Sequence, residues 1–570
     1  MINRELSRIF EDLADMEDIE GNRWESLAYR RVANSISLLA IDVLDLYHSK
    51  QLRKIEGVGS SIEKKIMEYI ETGKISKRED LKEKYNIDFE SLRKIQGLGP
   101  KRIAILHLAL GIKNLDDLVE ATRNDQISKV PGFGPKSQDA LKKSIEFYKS
   151  SGADRIPLAT CYDDIQEFLS KLRTSGKFTR LELAGSARRL RDTVGDIDLL
   201  CSSDDPSAAG DYFTGLGEVK NVIAKGETKI SVLLSLGLNC DLRIIDSNSF
   251  GAALQYFTGS KEHNIRLRAM AIDGGMKLNE YGLFKGNDSL ASLTEEDVYS
   301  KLGLELVPPE LRENMGEVEA ALQRRLPKIV GFEEIQGDYH THTDATDGHS
   351  TFDEMVEAGK KLKYKFMAIT DHSKSLKVAN GMDEKRFQAR NRKIDGYNET
   401  TDSIRILKGV ELEILKDGSL DLPNRLLNEM DVVIGALHQQ ISDHMKTNTL
   451  RLIKAIRSGM LTTIAHPTGR LLGTRDAYRI DFDAVFEACE ENDVALEING
   501  FPTRSDLPYD LVKRAKSYKI SFTLGSDAHS TNQLKYLWFA TAIARRGWLE
   551  SKNVINANPY ASKGLARQIN

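Results

Sequence analysis

The chain has 570 residues, 40% hydrophobic and 29% charged, and its 81 Lys and Arg against 85 Asp and Glu leave a net charge of −4. At roughly 150 residues per domain, that length predicts three to five units, each able to bury its own core, and the composition excludes disorder as the main state. The opening MINRELSRIFEDLADMEDIE turns acidic early, and no apolar run approaches the roughly 20 residues that cross a bilayer, so neither a secretory leader nor a membrane span is expected. Cys161, Cys201, Cys240 and Cys489 stand far apart with no CxxC pair, which excludes a disulfide framework and a cysteine zinc site and fits a reducing cytoplasm.

Charge is uneven along the first third. Residues 1–50 hold 6 basic and 10 acidic side chains, whereas residues 51–150 hold 20 basic and 15 acidic, a balance suited to a polyanion. Within the basic stretch, KIEGVGSSIEKKI (54–66), KIQGLGPKRIAIL (94–106) and KVPGFGPKSQDAL (129–141) repeat one form, Lys-apolar-x-Gly-apolar-Gly followed by a helical pattern. The pairs Gly57/Gly59, Gly97/Gly99 and Gly132/Gly134 supply the backbone freedom of a tight turn, and each following helix begins with free N–H groups that suit a phosphate. A single copy reads as a plain helical hairpin. Three copies in a basic segment resemble the helix-hairpin-helix motif, which implies a grip on a DNA backbone without reading its sequence.

From about residue 156, LELAG (181–185), DIDLLC (196–201), KISVLL (229–234) and CDLRII (240–245) read as strands between helices, an α+β module. In LAGSARRLRDTVGDIDLL, Asp196 and Asp198 are two apart on a strand, so both carboxylates leave the same face. Asp241 offers a third from a neighbouring strand. Three oxygen donors plus substrate phosphates make a two-Mg²⁺ site for in-line phosphoryl or nucleotidyl transfer. Gly185-Ser186, at a strand-to-helix turn, and Arg189 are placed to hold a triphosphate. Residues 303–335 read as a connector, and a separate α/β domain begins near Gln336.

Eight of the eleven histidines fall between 340 and 529. In order come DYHTHTDATDG (His340, His342, Asp347), AITDHS (His372), KGVELEI (Glu411), IGALHQQ (His438), TIAHPTG (His466) and LGSDAHS (Asp527, His529), each after an apolar strand-like run. That places their polar tips together at the C-terminal rim of a barrel of parallel strands. Nine mixed nitrogen and oxygen donors suffice for two or three ions such as Mn²⁺, Zn²⁺ or iron, with Glu411 able to bridge, and this is phosphoesterase chemistry. His349 and His444 lack the strand-end context and read as loop histidines.

The Gly-Ser, the Asp-x-Asp ten residues on, Asp241, YFTGSKEHNIRLRAMA (256–271) and NEYGLF (279–284) resemble the palm and thumb of a family X DNA polymerase. By that resemblance Asp196, Asp198 and Asp241 are metal ligands, and Asp241 also accepts the primer 3′-hydroxyl proton. Ser186, Gly195 and Arg189 meet the nucleotide phosphates, Tyr256, Phe257 and Gly259 line the sugar side, and Asn264 and Arg268 lie near the nascent pair and template. Lys261 stands where the well-known animal member has an acidic residue. The N-terminal 150 residues resemble the family's lyase and fingers region, with Lys65 at the position of a Schiff-base lysine. Trp24 and Glu25 replace the basic residues that hold a 5′-phosphate there, while Tyr29 and Arg30 are retained. A DNA-backbone lysine is an equally good reading of Lys65.

The ordered set HxH, TDH, strand Glu, His, HP and SDAH resembles the polymerase and histidinol phosphatase (PHP) domain, which makes the nine residues above its ligands. Arg470, Arg475 and Lys374 either meet a DNA phosphate or are surface cations. The whole order resembles bacterial and archaeal family X polymerases. The expected division is a lyase-like helical domain at 1–75, fingers at 76–150, nucleotidyltransferase palm at 151–245, thumb at 246–302, linker at 303–335 and a PHP-type distorted α/β barrel at 336–570. The resemblance implies a gap-filling DNA polymerase with a 3′–5′ exonuclease or phosphatase, acting in repair. Its partners would be gapped or primed DNA and deoxynucleoside triphosphates, with Mg²⁺ in the palm and Mn²⁺ or Zn²⁺ in the PHP site, as a cytoplasmic monomer. The alternatives are a nucleotidyltransferase fused to a small-molecule phosphatase and a non-catalytic DNA-binding scaffold.

Overall fold

A computed structural model describes residues 2–37, 43–55, 57–85, 87–89, 92, 95, 98, 100–150, 155–472 and 475–558. Gly97 and Gly99 lie outside these residues. In the N-terminal region, helices Ile2–Glu20 and Arg23–Ser37 pack Leu6, Phe10, Leu13, Val32 and Ile36 into one core. Helix Ser60–Thr72 joins them because Ile62, Ile66 and Tyr69 recur at helical spacing on its buried side.

The repeats build the same local turn three times. The N–H of Val58 donates to the Ile55 carbonyl at 3.1 Å, that of Leu98 to Ile95 at 3.0 Å and that of Phe133 to Val130 at 2.9 Å. All six of these apolar side chains are buried. In the first and third repeats the residue before the donor is left-handed, Gly57 and Gly132 adopting φ of +84° and +85°.

The second glycine of each described repeat departs from the expectation that both supply backbone freedom to the turn. Gly59 is extended, with φ −91° and ψ −179°, a conformation open to any residue, and it caps helix Ser60–Thr72 by accepting the Glu63 N–H at 2.9 Å. Gly134 likewise stands outside the left-handed region and accepts the N–H groups of Ser137 and Gln138 at 2.9 and 3.0 Å, opening helix Pro135–Ser150. The physical reason is that the chain has already reversed at Gly57 and Gly132, so the next-but-one residue has only to enter a helix. Both Gly59 and Gly134 are exposed, and a Cβ on either would meet open space, so neither is required by the fold itself.

The palm is a five-stranded sheet of β1 (Arg180–Leu183), β2 (Asp196–Ser202), β3 (Val219–Lys225), β4 (Lys229–Leu234) and β5 (Asn239–Ile244), ordered β1-β2-β5-β4-β3. β2 and β5 run parallel with Asp198 opposite Asp241, while Ile197, Leu199, Val232 and Leu242 pack with helix Leu158–Thr174 in the core. The thumb follows, with helices Phe250–Thr258 and Lys261–Asp273 against an antiparallel sheet of β6 (Lys277–Asn279), β7 (Gly282–Lys285) and β8 (Asp288–Ala291). The stretch read as a connector adds Leu304, Val307, Leu311 and Val318 to the thumb core.

The C-terminal domain is a nearly closed barrel of seven parallel strands in chain order, β9 (Gly337–Thr341), β10 (Phe366–Ile369), β11 (Arg405–Glu413), β12 (Val432–Ala436), β13 (Thr463–Ile464), β14 (Ala495–Asn499) and β15 (Phe522–Gly525). Their ends meet through N–H groups of Asp527 and His342 donating to the carbonyls of His340 and Ala528 at 3.0 and 2.8 Å. These strands are buried on both faces, so they read as continuous apolar runs. Helix Leu537–Arg546 ties barrel to palm: Phe539 enters the palm core, and Trp538 stacks on Phe332 at 4.4 Å and packs on Tyr162 at 4.8 Å. Among the described residues no helix is long and apolar enough to cross a membrane.

Candidate functional site

In the palm, period-two alternation puts Asp196 and Asp198 on one face of β2 and the β2–β5 register sets Asp241 beside them. Asp241 is held by the Ser231 hydroxyl, which donates at 2.5 Å, and by Lys229 at 2.6 Å. Burial, and then the charges of Asp196 and Asp241, hold the Asp198 carboxyl up to about 7. Such a cluster is stable when ionised only with a cation between its oxygens, which is the fit expected of a divalent metal.

A proton and a cation therefore compete for Asp198. In a His340→Ala/His342→Ala background, which removes two donors of the barrel's histidine cluster, the apparent Mn²⁺ affinity of the palm is expected to fall about tenfold per pH unit below the Asp198 titration and to level off above it. Calorimetry in buffers of different ionisation enthalpy checks this by the proton released per ion bound.

Gly185 has a steric role that the sequence hid. It sits at φ +59°, and a Cβ there would stand 2.0 Å from Asp198 Oδ2. Gly185→Ala must displace that carboxylate, so nucleotide addition is expected to drop about a hundredfold while 3′ resection persists. Primer extension and resection on one preparation separate the two.

Of the residues that the resemblance assigns to the nucleotide, Tyr256 and Phe257 lie on the first thumb helix. Tyr256 and Phe257 contact edge to face at 5.1 Å, and Arg243 lies 4.3 Å over the Phe257 ring. Asn264 is buried, donating to the Tyr256 carbonyl at 2.7 Å and accepting from Gln255 at 2.7 Å, so it fixes the aromatic pair. Arg268 is exposed, as is Gly195 beside Asp196. The Arg189 guanidinium lies on Glu313 at 3.0 Å and on the Thr258 carbonyl, held there by the buried carboxylate.

At the N-terminus, Ser60, Ser61, Lys64, Lys65, Glu68 and Lys77 line a cleft of about 360 Å³. Lys65 donates to the Ser61 hydroxyl at 3.2 Å and lies 5.8 Å from the Tyr29 ring. Partial burial, and then the Lys77 charge, lower its pKa. Lys77 itself is paired with Glu17 at 2.6 Å and with Glu25, 52 residues away, at 2.5 Å, partnerships that no local pattern announces. Arg30 turns away to Asp15 and Asp18, both at 2.7 Å.

The barrel brings all nine of its sequence-identified residues to one rim. His342 Nε2 lies 3.1 Å from His340 Nε2 and 3.3 Å from Asp527. His372 and His529 approach Asp347 at 3.4 and 3.5 Å, while one or other Glu411 oxygen lies 3.3, 3.1, 3.1 and 2.9 Å from His340, His372, His438 and His466. Three groups are spaced for single ions: His342, Asp347, His372 and His529; His340, His342 and Asp527; and His372, Glu411 and His438.

The donor chemistry fits. His342 Nδ1, Asp347 Oδ1, His372 Nδ1 and His438 Nε2 are buried without a hydrogen bond, although the last two lie close to Glu411. His342 Nδ1 and Asp347 Oδ1 lie 4.0 Å apart, too far for a hydrogen bond, and all four residues belong to the groups spaced for single ions. Burial, followed by the charges of His529 and His372, pushes His342 down to about 4, the neutral form that a metal needs. Against burial, the neighbouring carboxylates hold His438 and His529 up to about 9 and raise His340, so an ion would displace protons there. His466 and Asp527 stand at φ +28° and +55°, strained backbone of the kind that functional sites retain.

Sequence reading missed the supporting layer. Glu497 lies 2.5 Å from His340 Nδ1 and accepts the His466 N–H at 2.7 Å; Glu413 lies 3.0 Å from His438 Nδ1, and Asn499 donates to Asp527 at 3.1 Å. These partners fix imidazole orientation. A signal was present, since Glu411 and Glu413, like Glu497 and Asn499, interrupt apolar strands at spacing two. His349 lies in a loop and His444 precedes helix Met445–Ile456, as expected of loop residues. Arg470 is held by Asp192 at 2.7 Å, and Arg475 by the Gly469 carbonyl at 2.7 Å.

A carboxylate triad on a mixed palm sheet and a histidine-rich centre on a parallel barrel define a two-site enzyme of phosphoryl transfer. Family models match accordingly: the DNA polymerase beta thumb at 253–313, a helix-hairpin-helix domain at 1–75, a SAM-like helix-hairpin-helix tandem at 89–146 and the PHP domain at 338–500. The chain is 35% identical over 565 residues, 98% of each protein, to the DNA polymerase/3′-5′ exonuclease PolX of Bacillus subtilis strain 168. Over 39% of its length it is 29% identical to a "Probable phosphatase" of Thermoanaerobacter sp. strain X514, of which it covers 90%. Over 37% it is 33% identical to another of Caldicellulosiruptor saccharolyticus, of which it covers 83%. The chain belongs to the family X DNA polymerases that carry a PHP domain.

Proposed function

We propose that this protein is a template-directed, gap-filling DNA polymerase whose PHP domain trims 3′ ends as a 3′–5′ exonuclease, acting in base-excision or end repair in the cytoplasm. The observation that carries the reading is the pair of clusters on one chain, Asp196, Asp198 and Asp241 in the palm and, in the barrel, eight residues spaced for single ions with His466 on Glu411 at 2.9 Å. The hairpin turns of the three repeats hold the backbone of gapped or primed DNA without reading bases. In that role Gly57 and Gly132 shape the turn, whereas Gly59 and Gly134 keep the helix start bare of side chain so that a phosphate can approach it, and the repeat of Gly97 and Gly99 would serve the same backbone. The protein works as a monomer.

In the palm, Asp196, Asp198 and Asp241 would hold Mg²⁺, which when bound stabilises charge on the attacking and leaving oxygens. Asp241 accepts the proton of the primer 3′-hydroxyl as that oxygen bonds to the α-phosphorus of the deoxynucleotide and pyrophosphate leaves. Ser186 and Gly195 orient the triphosphate. Tyr256, Phe257 and Gly259 shape the sugar side, Asn264 fixes them, and Arg268 faces the template.

In the barrel, His340, His342, Asp347, His372, Glu411, His438, His466, Asp527 and His529 would hold two or three ions of Mn²⁺ or Zn²⁺. When bound, these ions neutralise a scissile phosphate and activate water. Glu497 and Glu413 keep His340 and His438 turned toward the centre. Lys65, with Tyr29 beside it, is the group placed for any lyase step.

Parent protein with a one-nucleotide gapped duplex and Mn²⁺ tests the reading: template-dictated insertion, and resection when nucleotides are withheld, are expected. Insertion of any nucleotide irrespective of template would refute it. The likeness of the barrel to proteins called phosphatases favours one second reading, removal of a 3′-phosphate. A 3′-phosphorylated primer and a small phosphate monoester run in parallel distinguish the substrates.

A further inference from the structure

We propose that Arg546, on the barrel side of the molecule, is a positioning residue for the polymerase site, holding the turn that carries Gly185 and Ser186 over Asp198. This rests on the polymerase reading of the palm. Arg546 ends the helix Leu537–Arg546, and only 1% of it is exposed. One guanidinium nitrogen donates to the Arg189 carbonyl at 2.6 Å, and both terminal nitrogens lie 3.3 Å from Glu313. Tyr509 covers the guanidinium face at 4.1 Å. Its polar contacts run to the palm and to Glu313 rather than to any of the nine barrel ligands.

Glu313 is the shared anchor. It also accepts from Arg189 at 3.0 Å and Arg191 at 3.1 Å, so arginines of two domains converge on one buried carboxylate. The turn between them is tightly wound: the N–H groups of Arg189, Leu190 and Arg191 donate to the carbonyls of Gly185, Ala187 and Ser186 at 3.3, 3.1 and 3.1 Å. A carbonyl fixed at Arg189 therefore fixes Ser186 through a single coil of backbone. A second strut enters one residue past the coil, where the barrel's Arg470 donates to Asp192 at 2.7 Å.

A strut of this kind acts on how the incoming nucleotide is seated, not on the barrel's own reaction. The test uses full-length parent, Arg546→Met, Arg546→Lys and Asp192→Asn proteins, with single-nucleotide insertion on gapped DNA, 3′ resection and thermal melting measured on each. Arg546→Met is expected to raise KM for the deoxynucleotide about tenfold, with kcat within about threefold and resection unchanged. Arg546→Lys recovers part of the KM because an ammonium still donates to the Arg189 carbonyl. Asp192→Asn shifts KM in the same direction by less. Parental KM in both Arg546→Met and Asp192→Asn overturns the proposal, as does insertion and resection falling together with the melting temperature. If Arg546→Met does not fold, Asp192→Asn decides: a raised KM supports the strut and a parental KM removes it. A parent that inserts no nucleotide would instead sink the polymerase reading.

Discussion

An Asp196→Ala/Asp198→Ala protein is expected to lose nucleotide addition by about 10³-fold or more while 3′ resection on the same preparation stays at the parental rate. Two of three carboxylates on one face disappear, and the third, Asp241, is left neutralised by Lys229 at 2.6 Å and hydrogen-bonded by Ser231. No cation then has an oxygen cage. Metal-assisted charge stabilisation amounts to several kcal/mol, and each 1.36 kcal/mol is tenfold in rate. The variant is also expected to melt no lower than the parent in chelator. Burial and like charge raise Asp198 to about 7 in the fold, so its ionised form opposes folding above that pH, and its removal relieves the opposition. A lower melting temperature in chelator would contradict the electrostatic account.

The mirror result is expected from His340→Ala/His342→Ala: resection falls about 10³-fold, insertion persists, and bound transition metal measured by elemental analysis drops. His340 is the buried hub, with Nδ1 2.5 Å from Glu497 and Nε2 3.3 Å from Glu411 and 3.6 Å from Asp527. Its loss leaves three carboxylates facing a gap, and an uncompensated buried charge costs about 3–5 kcal/mol. The double variant should therefore melt lower than His342→Asn alone, which keeps that hub. Loss of insertion as well as resection in His342→Asn would show that the two centres are not independent.

What the sequence disclosed follows from how each feature is encoded. The hairpin repeats and the Asp-x-Asp strand are contiguous, and the histidine motifs, though spread from 340 to 529, each end an apolar strand-like run, so spacing carries the geometry and all nine residues reach one rim. Spacing alone did not divide the labour within a glycine pair: the left-handed turn falls to Gly57 and Gly132, while Gly59 and Gly134 keep ordinary backbone. Strand β3 escaped because it lies exposed at the edge of the palm and shows no buried run. Lys77, Arg546 and Glu313 escaped because their partners lie far away in the chain, 233 residues in the case of Arg546 and Glu313. Arg189 is a related case: the sequence reads its guanidinium as a phosphate contact, and its ion pair with Glu313, 124 residues away, is a partner that no local pattern announces. The 304–318 stretch looked like a tether because its apolar residues follow no single period, yet they fill the thumb core.

Trp538, stacked between Phe332 and Tyr162, also makes the seam between palm and barrel optically visible. The other two tryptophans sit elsewhere, Trp24 85% exposed and Trp548 beneath Lys513 at 3.6 Å. Each therefore reports a different environment in native emission. Quenching of the Trp538 component by a soluble quencher would track separation of the two halves during turnover, in the unlabelled wild-type chain.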